Sequence, residues 1–399
     1  MTVALPLVIS LAVMAYAWPA SRVAPRDLPV GIVGTSTAGQ NAVEGLERSR
    51  PGGFDFHLYP DQASARSAIK AREIYGAFVV TRGSFTVLQA TAASTSVAQL
   101  LDASGRQLAA AASESAAIGT TASARGTFVA STSGKKKKEA KAAAKVTVKT
   151  VDVVPISADD PRGVVFSSAL LPLTMCGILI ASLLAMSNFH MPGWRRVLEL
   201  IAACAATGFG AYLVAQGILG ALPHEHVATW SALSLTMLAI SATCAGLITL
   251  IGPAGLGLSA VLMVFVGNPF SGSTSAPELL PKMVDDIGQW LPPGAGANLL
   301  RGTAYFGGNG SEGQIAVLAL WSVLGMAAVA LGRRKTAGAG GLAAGDSGRT
   351  EDAGAESPAT SESVGTAVLR PALDGYFPSP SPALEGGRPA SHARHAADR

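Results

Sequence analysis

Charge is what this sequence is short of. Asp, Glu, Lys and Arg make up 14% of its 399 residues, where soluble domains carry roughly 25%. With 49% hydrophobic residues, this is the balance of a membrane protein, with membrane lipid as its first partner. The net charge of +4 is small and scattered, which argues against a nucleic-acid partner. Cysteine is scarce as well. Cys176, Cys204 and Cys244 all fall inside apolar runs and read as small core residues, giving neither a disulfide framework nor a metal site.

Catalytic patterns are missing too. No Gly-x-Ser-x-Gly elbow, no paired catalytic carboxylates and no Cys–His constellation stands out. The run "HEH" at 224–226 offers two imidazoles, short of a zinc ligand set. The nearest approach to a nucleotide site is "IVGTSTAGQN", 32–41, where Gly34 and Gly39 keep the spacing of a phosphate-cradling loop. Gln40 stands where a Lys would neutralise phosphate, and Asn41 where a hydroxyl would hold Mg²⁺. The segment reads as an ordinary strand-to-helix turn. Neither an enzyme nor a bound cofactor is expected.

What the chain does have is long apolar runs. A crossing needs about 20 mostly apolar residues. Six candidates meet or approach this: 2–18, 164–186, 197–219, two within 227–267 separated by "GPAG", and 314–331. Ala15-x-Ala17 gives a competing leader-peptide reading of the first, but the charged lead of such a peptide is missing. Arg195 and Arg196 lie between the second and third spans, and Arg333, Arg334 and Lys335 follow the sixth. The positive-inside rule puts both clusters in the cytoplasm and residues 19–163 outside. Glu199, near those arginines, is the only ionisable residue within the spans, which disfavours a proton-driven pump. Gly208, Gly210, Ala211, Ser231, Ser234 and Gly257 allow close helix packing.

Residues 19–163 alternate strand and helix signals: "LPVGIVG", "AGQNAVEGLERS", "FDFHLY", "DQASARSAIKAREI" with Asp61 as cap, "YGAFVV", "GSFTVLQAT", "SVAQLLDASGRQLAAAAS" and "VTVKTVDVVPI". The fold class expected is an α-helical polytopic membrane protein of about six transmembrane helices with an inserted extracytoplasmic α/β domain. The domains are 1–18, first transmembrane helix; 19–163, the α/β domain; 164–334, five helices; and 335–399, a disordered cytoplasmic tail. "GKKKKEAKAAAK", 134–145, reads as a solvated linker.

The segment 276–306 is too broken to span. It predicts a re-entrant element over spans five and six, starting with an amphipathic helix that carries Leu279, Leu280, Met283, Ile287 and Leu291 at helical spacing. Trp290 sits at the interface, and Pro292 and Pro293 end the helix. With Arg301 and Tyr305, these form a candidate outer gate.

The order of one span, a large domain and five spans resembles the permease subunits of type-2 ABC exporters, in the branch of the bacterial phage-infection proteins. The resemblance covers roughly 1–334 and rests on "LPVGIV", "ARSAIKAREIYGAFVV" at 65–80, "ADDPRG" at 158–163 and "LPPGAGANLLRGTAYF" at 291–306. It implies a bacterial plasma-membrane permease, oligomeric, moving a hydrophobic or envelope-related substrate while a separate subunit hydrolyses ATP. Trp194, Arg195 and Arg196 are then the expected ATPase contact. The rival expectation is an envelope receptor or scaffold that transports nothing.

Overall fold

A computed structural model describes residues 4–34, 37–81, 84–125, 147–161, 163–187, 191–221 and 225–332. The lysine run, His224 and the expected tail lie outside the described residues. Helix α1 (Ala4–Ser21) leads into a mixed α/β part: β1 (Leu28–Val33), α2 (Thr37–Ser49), β2 (Phe54–Tyr59), α3 (Gln62–Ala71), β3 (Gly76–Thr81), β4 (Ser84–Gln89), α4 (Thr95–Arg125) and β5 (Thr147–Asp152). The strands lie where the sequence alternation puts them. Their order is β2-β1-β3-β4-β5, with β3 and β4 antiparallel and the other pairs parallel. Asp61 caps α3, accepting from Ser64 N–H at 2.7 Å.

A helical part follows: α5 (Val164–Ser187), α6 (Gly193–Tyr212) with a π-helical extension to Ile218, and α7 (His226–Ile251). Then come α8 (Pro253–Ala260), continued as a π-helix to Gly267, α9 (Lys282–Trp290), α10 (Pro292–Tyr305) and α11 (Glu312–Leu331). Among the described residues, four helices are long and apolar enough to cross a membrane: Ser167–Met186, Gly193–Ile218, His226–Ile251 and Glu312–Leu331. α7 is the central one, 56% buried against 17–22% for the other three. On α5, Leu171, Met175, Leu179 and Leu183 form an exposed apolar stripe. Such a face over this length suits a lipid environment.

The expected fifth span takes the form of a shorter apolar helix. The apolar run 227–267 makes one long helix, then a turn at Gly252 (φ 68°) and an apolar helix over only Pro253–Gly267. Fifteen residues rise about 22 Å at 1.5 Å each, short of a hydrocarbon core of about 30 Å. The shortfall is met from the other side. α9 and α10 form a hairpin whose tip, Trp290–Pro293, reaches down beside the bundle. Trp321, nine residues into α11, donates its indole N–H to Trp290 O at 2.7 Å. A Cβ on Gly267 would stand 2.7 Å from Pro293, so the end of the α8 segment abuts the hairpin tip.

The α/β and helical parts are not separate bodies: Met1–Ala337 is one compact unit. One core cluster holds Ile69, Ile74, Ala77 and Leu88 from the α/β part together with Leu170 of α5, Leu233 of α7 and Ala297, Leu300, Ala304 and Tyr305 of α10.

Candidate functional site

The junction of the two parts is built by residues distant in sequence. Arg72 ends α3 in the left-handed region (φ 63°), a conformation most side chains avoid. Its Nη1 donates to Asn298 O at 3.2 Å, and its guanidinium lies 5.5 Å from the Phe306 ring centre. Three residues on, the Tyr75 hydroxyl donates to Glu278 Oε2 at 2.6 Å. Burial and the facing Glu278 carboxylate push the Tyr75 hydroxyl well above its ordinary pKa. Glu278 is itself fixed by backbone pairing: Ala24 N–H donates to Leu279 O and Arg26 N–H to Glu278 O, at 3.0 and 3.1 Å.

A polar cavity of about 260 Å³ opens here, lined by Arg72, Tyr75, Glu278, Asp285, Asn298 and Gln314 among others. Asp285 Oδ1 and Gln314 Oε1 are buried without a hydrogen-bond partner. Burial first, then Glu278 and Asp286, raise the Asp285 carboxyl to about 6. Against a second face of α10 lies a small cleft of about 60 Å³, where Arg301 and Tyr305 meet Ser94, Thr95, Ser167 and Ser275. Arg301 donates to Ser273 O at 3.1 Å, and burial lowers its pKa to about 10. Tyr305 donates to Ala221 O at 2.7 Å.

A third, apolar cavity of about 420 Å³ sits between α5, α6, α7 and α10, with Leu170, Leu173, Gly210, Val214, Leu233 and Leu300 in its walls. Val214 belongs to the π-helical stretch 213–218, a geometry frequent at functional sites. Gly296, Ala297 and Leu300 face the apolar cavity while Asn298 faces the polar one. At 3.6 residues per turn those positions lie on opposite sides of a helix. α10 is therefore a partition, and every residue from Pro292 to Tyr305 is buried.

Of the expected gate residues, Arg301 and Tyr305 line the cleft together. Pro292 and Pro293 both stop α9 and open α10, whose first-turn N–H groups need no helical partner. Trp290 is exposed and lines none of these cavities. Two details of the expected hairpin are corrected. α10 packs on α11, the expected sixth span, but its other main partner is α7, the fourth, rather than the fifth. The first helix is shorter, starting at Lys282, with Leu279 and Leu280 buried ahead of it. Its apolar stripe also points outward: Met283, Ile287 and Trp290 are exposed, whereas Val284 and Gly288 are buried. In a lipid setting the apolar stripe need not be the core-facing one.

Trp194, Arg195 and Arg196 open α6 far from these cavities in sequence and structure. Arg195 lies 5.3 Å from the exposed Trp194 ring, and Arg196 donates to Met191 O at 3.2 Å. Gly193 packs against Ala330, so this corner and the end of α11 share one end of the bundle. Gly39 lies inside α2, not in a loop before it, which removes the phosphate-loop geometry as well. Among the described residues no three His, Cys, Asp or Glu side chains gather to hold a metal. Sequence reasoning missed Arg72, Tyr75, Glu278 and Asp285. For Glu278 and Asp285 the one signal was charge in a partly apolar segment, and Arg72 and Tyr75 had none.

No family model, no curated protein and no solved structure matches this chain.

Proposed function

We propose that the chain is the membrane-spanning subunit of an exporter for a hydrophobic or envelope-related substrate, with ATP hydrolysed by a separate subunit. The observation that carries this reading is the apolar cavity of about 420 Å³ between the candidate spans α5, α6 and α7, walled on one side by the buried helix α10. A chain of methylenes gains about 0.8 kcal/mol per buried CH₂, so such a cavity favours an acyl or other apolar tail. In this reading α1 and the α8 segment join the four long helices to give six crossings of a bacterial plasma membrane. The α/β part then stands outside and the C-terminus is cytoplasmic. Trp194, Arg195 and Arg196 offer the cytoplasmic corner to the ATPase. The resemblance to type-2 ABC permeases points the same way.

The polar cavity favours a second reading, an envelope receptor or scaffold whose outer part binds a ligand without transport. Two measurements separate them. Membranes fed a photoactivatable fatty acid should label α5 and α6, and Gly210→Phe should abolish that label. A Cβ at Gly210 meets nothing within 4 Å, so the larger side chain fills the cavity without striking backbone. Mass spectrometry of the purified chain should also find an ATPase subunit, lost on Trp194→Ala with Arg195→Ala. Labelling unaffected by Gly210→Phe, with no ATPase in any preparation, would leave the receptor reading.

A further inference from the structure

We propose that the polar cavity at the junction binds a primary ammonium group, carried by an ethanolamine-type lipid headgroup or by a small soluble amine. The inference stands on this cavity alone and holds with or without transport. Its lining carries one cation, Arg72, and two carboxylates, Glu278 and Asp285; the buried Arg301, in the neighbouring cleft, acts on Glu278 from outside the lining and leaves Asp285 without a cation. Arg72 is turned onto α10, donating to Asn298 O and stacking on Phe306. The proton of Tyr75 is given to Glu278 Oε2. Asn298 gives an amide proton to Gln289 Oε1. Gln289 also meets the Asp285 carboxylate, and the oxygens left over, Asp285 Oδ1 on α9 and Gln314 Oε1 on α11, accept nothing. They flank the cavity from two helices, with the Glu278 carboxylate a third acceptor at its wall.

A ligand that completes this set must bring donors and positive charge. An –NH₃⁺ group has three donors, no acceptor and a compact shape. A carboxylate or phosphate would meet two like charges. A quaternary ammonium brings charge without N–H, and an alcohol brings a donor without charge. Neither answers both demands.

The test uses the full chain in phosphatidylglycerol nanodiscs, titrated with ethylammonium, tetramethylammonium or ethanol while thermal unfolding is followed. Ethylammonium alone should raise the unfolding temperature saturably. Asp285→Asn should weaken its apparent Kd at least tenfold, and Gln314→Glu, which adds a carboxylate, should tighten it. The opposite signs keep the result independent of any general loss of folding. Repeating the titration in phosphatidylethanolamine discs identifies the source. A vanished ethylammonium response means the headgroup already occupies the site, and a retained one means a soluble amine; both support an ammonium site. An equal response to tetramethylammonium or ethanol, no response in phosphatidylglycerol, or an unchanged Kd in both variants would overturn the proposal.

Discussion

Tyr75 and Glu278, 203 positions apart, meet in a 2.6 Å hydrogen bond that ties the α/β part to the segment leading into the α9–α10 hairpin. Tyr75→Phe removes the donor and leaves a carboxylate at the junction. Hydrogen bonds to charged groups contribute about 1.5–3 kcal/mol, and the partly buried Glu278 recovers some of this from water. The expected loss is about 1–2 kcal/mol, read by denaturant unfolding in detergent. It should come with faster proteolysis of the 22–27 linker, which pairs with residues 278–279. An unchanged cleavage rate would mean the bond does not hold the two parts together.

Asp285 gives a pH dependence of defined sign. Its carboxyl is raised from 3.8 to about 6 in the folded chain. The folded state therefore holds the proton more tightly than the unfolded state. Its stabilising effect is full below about pH 4 and fades as pH rises through 6. The unfolding temperature of Asp285→Asn should exceed that of the parent chain at pH 7.5, by a few degrees, and the gap should close by pH 4.5. A gap independent of pH would contradict the assignment.

Two glycines of α6 should answer differently to one methyl group. A Cβ on Gly208 would lie 2.8 Å from Ser234 Cα and 2.9 Å from its backbone N, so α6 and α7 must part. Gly208→Ala should cost about 1–3 kcal/mol, as overpacking does. Gly210→Ala meets nothing within 4 Å and should be neutral or slightly stabilising. Parallel thermal scans of the two variants decide it, and similar losses would refute the close approach at Ser234.

The proposed orientation is testable on two exposed residues. In a background without Cys176, Cys204 and Cys244, Leu58→Cys should react with an impermeant thiol reagent in intact cells and Trp194→Cys should not. Both side chains are well exposed, 73% and 59%. The reverse pattern would invert the topology argued from Arg195 and Arg196.

Local features were legible in the sequence and distant ones were not. The alternation in "FDFHLY" and the Asp61 cap act within a few residues, so β2 and α3 could be read directly. The division of the apolar run 227–267 at "GPAG" was legible, but the short length of its second helix was not, because hydropathy counts residues and not depth. A 26-residue α7 uses up the length that a second full crossing would need. The α9–α10 hairpin was visible through Pro292 and Pro293, yet its facing was not. The stripe Met283–Ile287–Trp290 signals an interface without saying which side holds lipid. The polar cavity was out of reach, because Arg72, Glu278, Asp285 and Gln314 converge only through tertiary packing.

The shared core also sets a timetable for biogenesis. The face formed by Ile69, Ile74, Ala77 and Leu88 is closed by Ala304, Tyr305 and Phe306. At about 5–20 residues per second, the 203 positions from Tyr75 to Glu278 take about 10–40 s to synthesise, and α10 comes later still. Throughout that interval the nascent sheet has a bare apolar flank, long after its own strands have paired. A ribosome stalled before Pro292 would strand the chain in that state, so quality-control proteases should recognise truncated forms by this flank.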